Sequence, residues 1–368
     1  MKIKNGKVFI GHEFVDTDVE FDSRFQNIGQ LEGRADIDAT DCYVIPGLVD
    51  IHTHGNSGED FSDGKVEAFQ TMADWYAAHG VTSFLATTMT LTEPVLMPAM
   101  HAVRDWKRSG GAKCAGIHLE GPFICRGKCG AQDPKNLHLP DIDMFNRLNE
   151  ASGNNIKLIT MAPETEGSME FIREASKVCT ISVGHTEANY EIAMEAFRNG
   201  ATHVTHLFNA MPAFAHREPA VVGAARDADA SVELICDGMH IHPSVIRATH
   251  QLFGDKLNLI SDSLRCAGMP DGDYELGGQP IEMKNNKATL KGTNTLAGSS
   301  ISMLDALQNV VKFGLSLEDA VYCATTAPCD AVNCKDIGRI EKGACADFLL
   351  LDKDLNLKAV YVNGEKFC

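Results

Sequence analysis

The middle of the chain alternates between short, almost uninterrupted apolar runs and longer stretches in which apolar residues recur with helical spacing. Runs of this kind that are rich in Val, Ile, Leu and Thr predict strands buried on both faces. Eight strands are predicted in this way, at residues 49–54, 81–87, 115–122, 156–161, 180–185, 203–208, 232–237 and 257–262.

The stretches between these strands predict amphipathic helices, several of which end at a glycine. The predicted helices are residues 66–78, 94–106, 143–150, 168–175, 188–198, 243–252 and 301–313. Strands that alternate with helices predict the α/β class, and eight such units predict a closed (β/α)8 TIM-type barrel. An open doubly wound sheet is the alternative, but no G-x-G-x-x-G motif follows an early strand, which weakens a dinucleotide-binding version.

The two ends of the chain have a different pattern, with short strands and turns. Strands are predicted at residues 7–10, 18–21, 346–352 and 359–362, and Asn5-Gly6 is typical of a hairpin turn. We therefore expect a small β-sandwich domain built from both chain termini. The predicted division is residues 1–47 and 336–368 for this domain and residues 48–335 for the barrel.

Composition narrows the classes of function. The chain has 368 residues, of which 44% are hydrophobic and 23% charged, as in a globular protein. Its net charge of -17 argues against a nucleic-acid or anionic-membrane partner, although a local cationic cluster could still bind an anionic small molecule. No signal-like or membrane-spanning run is present, and the twelve cysteines form no Cys-x-x-Cys pair, so we expect reduced thiols and a cytoplasmic location.

A pair of histidines marks the end of the first predicted strand. Side chains alternate between the two faces of a strand, so His52 and His54 would point the same way and could grip one metal ion. Taken alone, such a pair is more often two ordinary polar residues. It needs ligands from elsewhere in the chain to become a metal site.

Those ligands occur at the ends of other predicted strands, where (β/α)8 enzymes carry their sites. Glu120 ends the third strand, His185 the fifth, His206 the sixth and Asp262 the eighth. In the alternating pattern His185 shares a face with Val183. Each residue alone has an ordinary explanation, since a single histidine is often a hydrogen-bonded polar residue and Asp262 could cap a turn. Together they predict a metal-binding mouth.

Two further histidines have a weaker case. His118 lies two positions before Glu120 and would point into the barrel, as a packing residue or behind the ligands. His203 has the opposite strand parity to His206, and we interpret it as structural.

Several motifs now point to a family. The segment Pro46-Gly47-Leu48-Val49-Asp50-Ile51-His52-Thr53-His54-Gly55 resembles the opening signature of the amidohydrolase superfamily. Within it, the chain resembles the deacetylases of N-acetylglucosamine 6-phosphate over essentially its whole length. The motifs that carry this likeness are His118-Leu119-Glu120-Gly121-Pro122-Phe123, Gly184-His185-Thr186, Thr205-His206-Leu207-Phe208-Asn209-Ala210-Met211, Arg217-Glu218-Pro219, Asp237-Gly238-Met239-His240 and Ser261-Asp262.

The resemblance implies a set of metal ligands. Glu120, His185 and His206 would hold the main ion, and His52 and His54 would hold a second one, with Glu120 bridging the two. The expected cofactor is therefore one or two divalent metal ions per subunit. A set of nitrogen and oxygen ligands suits Zn, Fe, Mn or Co and does not choose among them.

The resemblance also implies the chemistry, which is hydrolysis of the acetamide to glucosamine 6-phosphate and acetate in amino-sugar catabolism. Metal-bound water would be the nucleophile, because a metal ion lowers the pKa of its bound water to about 7. Asp262 would act as general base on the water and then as general acid to the departing amine.

Substrate-contacting residues follow from the same likeness. Arg217 and His240 are the expected phosphate donors, with Asn209, Ala210, Ala131, Gln132, Leu296 and Ala297 around the sugar. Many family members have a histidine where this chain has Gln132, which can form hydrogen bonds but cannot carry a charge. The segment Thr295-Leu296-Ala297-Gly298-Ser299 resembles a substrate-contact loop of the family. Alternatively, Ser299 or Ser300 could simply cap the helix predicted at residues 301–313.

The expected partner is a small phosphorylated amino sugar, with no nucleic acid and no membrane. The resemblance implies a homodimer, or a tetramer, with the hypothesis that Arg217 acts across the interface. Two alternative enzymes stay open: a deacetylase of N-acetylgalactosamine 6-phosphate, or an amidohydrolase that acts on a different amide. A catalytically inactive sugar-phosphate sensor is a further alternative, and the complete ligand set argues against it.

Overall fold

The computed structural model describes all 368 residues. Its centre is an eight-stranded parallel sheet in which each strand pairs with the next one along the chain. The barrel strands, named first to eighth in chain order, are Leu48–Thr53, Val81–Thr88, Lys113–Glu120, Ile156–Met161, Thr180–Val183, His203–Val204, Ser231–Ile235 and Leu257–Ile260.

Backbone contacts between the first strand and the residues after the eighth close the barrel. The Asp262 amide donates to the His52 carbonyl over 2.9 Å, and the His54 amide donates to the Ser263 carbonyl over 2.8 Å. The side chain of Asp50 also accepts hydrogen bonds from Ser261. The predicted (β/α)8 TIM-type barrel is therefore confirmed, and the open doubly wound sheet is excluded.

Helices cover the outside of the barrel. They are Ala68–Ala78, Glu93–Asp105, Ile142–Ala151, Ser168–Ala175, Tyr190–Asn199, Ala220–Asp227, Pro243–Phe253, Met303–Phe313, Leu317–Ala324 and Thr326–Ala331. The seven predicted helices all form, with ends that differ by at most two residues, and Ala220–Asp227, Leu317–Ala324 and Thr326–Ala331 were not predicted. None of the helices combines the length and the apolar character that a bilayer crossing requires.

The helix Met303–Phe313 begins at a different residue from those proposed. Ser302 is its N-cap and forms a capping box with Asp305. The hydroxyl of Ser299 instead donates to the Ser261 carbonyl, and that of Ser300 donates to the Asn286 carbonyl. The interpretation of Ser299 or Ser300 as the cap was wrong.

Three of the strands predicted to end in a site residue stop before that residue, so the side-chain directions predicted there from strand alternation do not hold. The sixth ends at Val204 and not at 208, the fifth ends at Val183, and the eighth ends at Ile260. The reason is backbone conformation, because His185, His206 and Asp262 have φ values of 50°, 27° and 48°, outside the β region. The alternating strand pattern therefore does not extend to these three residues.

The two chain ends form the predicted β-sandwich. One sheet contains Lys7–Ile10, Glu13–Asp16 and Tyr43–Pro46 together with Phe348–Leu351, Leu357–Val362 and Glu365–Lys366. The other contains Lys2–Lys4, Asp18–Phe21, Phe25–Gly29 and Ile37–Asp38. Side chains from both sheets, among them Val8, Phe21 and Phe348, share one core. The exact divisions after residues 47 and 335 stay predictions.

The turn at Asn5-Gly6 was interpreted wrongly as a hairpin. The strands on its two sides, Lys2–Lys4 and Lys7–Ile10, lie in different sheets of the sandwich. Asn5 has a φ of 65°, so the left-handed conformation that favours Asn is present, but it makes a corner between sheets.

A three-stranded antiparallel sheet after the eighth barrel strand was missed. It consists of Gly272–Leu276, Gln279–Lys284 and Lys287–Leu290. Its turns, Gly277-Gly278 and Asn285-Asn286, are dipeptides typical of two-residue hairpins, and both asparagines have positive φ. Its apolar side packs on Leu264 and Met89 beside the barrel mouth.

Inside the barrel an apolar cluster lies below the polar mouth. It contains Val49, Leu85 and Ile260 from the strands and packs against Cys329 and Val332 at the last helix. All twelve cysteines are free thiols, and only Cys368 is exposed.

Candidate active site

The predicted ligands converge at the C-terminal ends of the barrel strands. His52 and Glu120 belong to the first and third strands, and His54 follows the first strand directly. His185, His206 and Asp262 each lie two residues beyond a strand end. Their positive φ values turn the side chains towards the centre of the barrel mouth, beyond the last paired residues of the strands. All six residues are buried.

Glu120 is the centre of this group. Its Oε1 atom lies 3.2 Å from His185 Nε2, 3.3 Å from His206 Nε2 and 3.4 Å from His52 Nε2. Its Oε2 atom lies 3.3 Å from His54 Nε2. One carboxylate therefore faces both the pair on the first strand and the pair from the fifth and sixth strands.

Asp262, which follows the eighth strand, faces His52 and His54 at the end of the first strand. Its Oδ1 atom lies 3.5 Å from His52 Nε2 and 3.4 Å from His54 Nε2. Asp262 also lines the open cavity that adjoins these histidines, so its carboxylate faces both the histidine pair and the cavity.

The donor atoms fit a bound cation. Two groups, His52–His54–Glu120 and Glu120–His185–His206, each bring one nitrogen or oxygen atom per residue within 4.8 Å of the others, and they share Glu120. His52 Nε2 is buried and has no hydrogen-bond partner, and the Nε2 atoms of His185 and His206 face each other over 3.1 Å. Lone pairs that converge without donors are what a divalent ion satisfies.

Electrostatics in the mouth favour positive charge. Burial alone would lower the pKa of His54, but the carboxylates of Asp262 and Glu120 raise this pKa to about 9. Burial likewise opposes protonation of His52, and Glu233, Asp262 and Glu120 together raise its pKa well above the ordinary value. The same field that would hold protons on imidazoles attracts a metal ion that displaces them.

Gln132 is tied to the ligand set. Its Nε2 donates to Glu120 Oε2 over 2.7 Å, and its Oε1 accepts from the Thr90 amide over 2.8 Å. Both ends of its amide are therefore engaged, so that it fixes the orientation of Glu120. The expected hydrogen bond from Gln132 to a sugar group would have to be made in addition to these contacts.

Glu233, on the seventh strand, was not predicted as a site residue. It is fully buried, and its Oε2 lies 2.8 Å from His52 Nδ1 while its Oε1 lies 3.1 Å from His203 Nε2. His203 was interpreted as structural. A glutamate within the apolar run 232–237 was the available signal, because a charge in a strand buried on both faces needs a partner. His118 points to Thr160, with Nε2 and Oγ1 2.7 Å apart.

A cavity of about 390 Å³ opens above the ligands. Of the predicted substrate-binding residues, six line it: Ala131, Gln132, Asn209, Ala210, His240 and Leu296. Ala297 is fully buried behind the cavity wall, and Arg217 is exposed in a separate groove with Glu187 and Tyr190. No lysine or arginine lines the cavity.

Asp237 fixes the orientation of the His240 ring at the cavity wall. Its Nδ1 lies 2.7 Å from Asp237 Oδ2, and its own backbone amide donates to Asp237 Oδ1. Burial would raise the pKa of Asp237, but hydrogen bonds from His240 lower it. A carboxylate on Nδ1 leaves Nε2 as the ring atom that is available to a ligand.

Comparison with known proteins gives a family for this arrangement. Residues 43–366 match the model of the Amidohydrolase family. The N-acetylglucosamine-6-phosphate deacetylase of Bacillus subtilis (strain 168) is 39% identical over 281 residues, which cover 74% of this chain and 71% of that protein. The human protein of the same name is 34% identical over 354 residues, covering 91% and 86%.

Solved structures agree with these relatives. A mutant N-acetyl-D-glucosamine-6-phosphate deacetylase from Mycobacterium smegmatis, in complex with N-acetyl-D-glucosamine-6-phosphate, superposes with a TM-score of 0.94 at 32% identity and covers 100% of this chain and 99% of its own. The N-acetylglucosamine-6-phosphate deacetylase from Thermotoga maritima gives a TM-score of 0.89 at 28% identity, with 100% and 99% coverage.

Proposed function

The chain belongs to the amidohydrolase family, and from that premise we propose that it hydrolyses the acetamide of N-acetyl-D-glucosamine 6-phosphate to D-glucosamine 6-phosphate and acetate. The relatives and solved structures that carry this activity in their names cover almost the whole chain. The observation that carries the proposal is the buried set of four histidines, Glu120 and Asp262, of which all but His52 line a cavity of sugar-phosphate size.

Glu120, His185 and His206 are the proposed ligands of one divalent ion, and His52 and His54, with Glu120 shared, those of a second. Zn, Fe, Mn and Co all fit these ligands. When bound, such an ion polarises the amide carbonyl and lowers the pKa of a water molecule. Gln132 supports this arrangement, because its hydrogen bond keeps Glu120 Oε2 directed towards His54.

Asp262 is the proposed proton carrier. Burial opposes its ionisation, but His52 and His54 lower its pKa, so that it enters the reaction as a carboxylate. It accepts a proton from the attacking water as the new C–O bond forms. It then gives this proton to the amine nitrogen as the C–N bond breaks, which releases acetate and the amino sugar.

A single chain offers few groups in the cavity that could bind the phosphate of the substrate. The cavity wall offers His240 and the amide of Asn209, but no lysine or arginine. Arg217 is exposed on the loop between the sixth strand and the following helix. We therefore propose a homodimer in which Arg217 of one subunit completes the phosphate site of the other, since a guanidinium matches phosphate geometry.

Acetate release tests the function. The protein is assayed with N-acetylglucosamine 6-phosphate, its galacto epimer and unphosphorylated N-acetylglucosamine, with metal analysis of the same preparation. We expect the phosphorylated gluco substrate to have the highest kcat/KM. Equal kcat/KM for the unphosphorylated sugar would refute the phosphate site, and a preference for the galacto epimer would refute the substrate assignment.

The role of Arg217 has its own experiment. Arg217→Ala should raise KM for the phosphorylated sugar and leave activity on the unphosphorylated sugar unchanged. Mixing Arg217→Ala with an Asp262→Asn variant should restore activity if the subunits exchange, because one of the mixed sites then has both groups. Full activity in a protein that sedimentation shows to be monomeric would contradict the shared site.

The location in the cell also stays a proposal. The twelve free thiols fit a reducing compartment such as the cytoplasm.

A further inference from the structure

Beneath the metal ligands lies a carboxylate that the proposed mechanism does not use. Glu233 has no solvent exposure, and no lysine or arginine contacts it. It has three hydrogen-bond partners: the ring nitrogens His52 Nδ1 at 2.8 Å and His203 Nε2 at 3.1 Å, and the His206 backbone amide at 3.1 Å. A buried charge is costly unless it is fully hydrogen-bonded. The chain meets this condition with groups from both halves of the metal centre.

The contact with His52 determines which ring nitrogen is free. With Nδ1 directed to Glu233, Nε2 faces Glu120 and Asp262 and has no hydrogen-bond partner. A carboxylate on the other ring nitrogen fixes the tautomer and raises the basicity of the coordinating nitrogen. His54 lacks this support, since its Nδ1 is buried without a partner. The two histidines of the pair are therefore not equivalent.

The contact with His206 reaches the other half of the centre. Glu233 Oε2 accepts the backbone amide of His206, whose φ of 27° is outside the strand region. The carboxylate of Glu233 therefore holds both the backbone turn at His206 and the imidazole ring of His52, which belong to the two different ligand groups.

We propose that Glu233 is the positioning residue that makes His52 a competent metal ligand and so determines whether the centre holds a second ion. This inference rests on the proposed function only in taking His52 as a ligand. His203 Nε2, 3.1 Å from Glu233 Oε1, holds the second carboxylate oxygen in place.

The substitution Glu233→Gln tests the inference with nearly unchanged volume. An amide offers one acceptor and one donor group where the carboxylate offers two acceptors. His52 Nδ1 and the His206 amide share Oε2 as their acceptor, so the amide oxygen should take that position and the NH2 group should face His203. His52 then keeps its tautomer but faces a neutral amide in place of a carboxylate, which lowers the basicity of its Nε2 towards a metal ion.

The measurement is Zn²⁺ binding to the metal-free protein by calorimetric titration, with metal content after dialysis against a chelator buffer. We expect Glu233→Gln to lower the affinity for the second equivalent of Zn²⁺ about 10- to 100-fold, the usual effect of losing a hydrogen-bond partner of a metal ligand. The affinity for the first equivalent should change much less. With Co²⁺ the visible spectrum of the second equivalent should change while that of the first is retained.

Asp347→Asn is the matched control. It removes another buried carboxylate, far from the mouth, whose partners are Lys113 and Asn363. It should lower stability and leave both metal equivalents unchanged. If it weakens the second equivalent as much as Glu233→Gln does, general destabilisation explains the result and the inference is wrong.

A second variant covers the case in which Glu233→Gln does not fold. Glu233→Asp keeps the charge and moves the oxygens back by one methylene, so the second equivalent should again be the weakened one. Unchanged affinity in either variant, or a wild-type protein that binds a single ion, would overturn the inference. A wild type that binds two ions and releases no acetate would instead refute the proposed function.

Discussion

Buried carboxylates in two regions of this molecule, the β-sandwich and the barrel mouth, have different kinds of positively charged partner. Asp347, at the edge of the β-sandwich, is 1% exposed and forms an ion pair with Lys113. For Glu120, Glu233 and Asp262, in the barrel mouth, the side chains that could carry a positive charge within ion-pair distance are all histidines. The first group contains its own permanent cation, and the second does not.

The difference separates a structural site from a functional one. A lysine is charged at every physiological pH, so the pair at Asp347 is complete in the folded chain. Imidazoles supply positive charge only if they bind protons, and three carboxylates in one buried mouth need compensation that does not depend on pH. A divalent cation is the compensation that this geometry accepts, so an acidic mouth without Lys or Arg is itself an indication of a metal centre.

Removal of metal should abolish the function of the barrel mouth and should not affect the ion pair of the β-sandwich. Exhaustive chelation is expected to abolish acetate release, and addition of Zn²⁺, Mn²⁺ or Co²⁺ should restore it with at least one of the ions. The melting temperature should fall as well, because a ligand at 100 times its Kd stabilises a fold by about 2.7 kcal/mol. Undiminished turnover in protein shown to be metal-free would contradict this interpretation of the mouth.

Asp262→Asn separates chemistry from metal binding. We expect kcat to fall about 10²- to 10⁴-fold, the usual contribution of a proton-transfer group. Glu120, His185 and His206 should retain their ion, which metal analysis of the purified variant checks. Turnover near the wild-type value with metal bound would show that another group carries the proton.

Lys113→Met removes the cation that is paired with Asp347 in the β-sandwich. It leaves Asp347 buried without its cation, which should lower the free energy of unfolding by about 3 kcal/mol in urea titrations. The kcat of the folded enzyme should not change, because the ion pair does not contact the cavity. The exposed pair of Arg147 and Glu93 offers a control, since Arg147→Ala should have no measurable effect on the urea midpoint.

Ser302→Ala gives the scale of an ordinary polar contact. Ser302 caps the helix Met303–Phe313, and loss of the capping box should cost about 1 kcal/mol of stability. Its effect on kcat should be absent. A loss as large as that of Lys113→Met would mean that buried polar contacts of any kind dominate stability here, and the comparison of the two groups would lose its meaning.

Much of the fold could be predicted from the sequence because apolar runs and helical periodicity are local properties. The fourth strand, Ile156–Met161, and the helix Ser168–Ala175 have the predicted bounds. The three-stranded sheet after the eighth strand was missed although its turns are typical, because its strands alternate between exposed and buried positions and have no long apolar run.

The site was predictable in its members and not in its geometry. The positions of His52 and Glu120 at strand ends follow from the apolar pattern. The inward direction of His185, His206 and Asp262 does not, because it depends on positive φ values beyond the strands. Glu233 could not be assigned from the pattern alone, since its role depends on His52, a residue 181 positions away.

The positive φ values of His185, His206 and Asp262 also bear on how this enzyme can be changed. A residue other than glycine in that conformation costs about 1 kcal/mol or more, and glycine does not incur this cost. Glycine at any of the three positions would relax the backbone and at the same time remove a side chain that we propose as a metal ligand or proton carrier. Selection for heat resistance alone would therefore tend to inactivate the enzyme, and a search for hardier variants needs turnover as a second criterion.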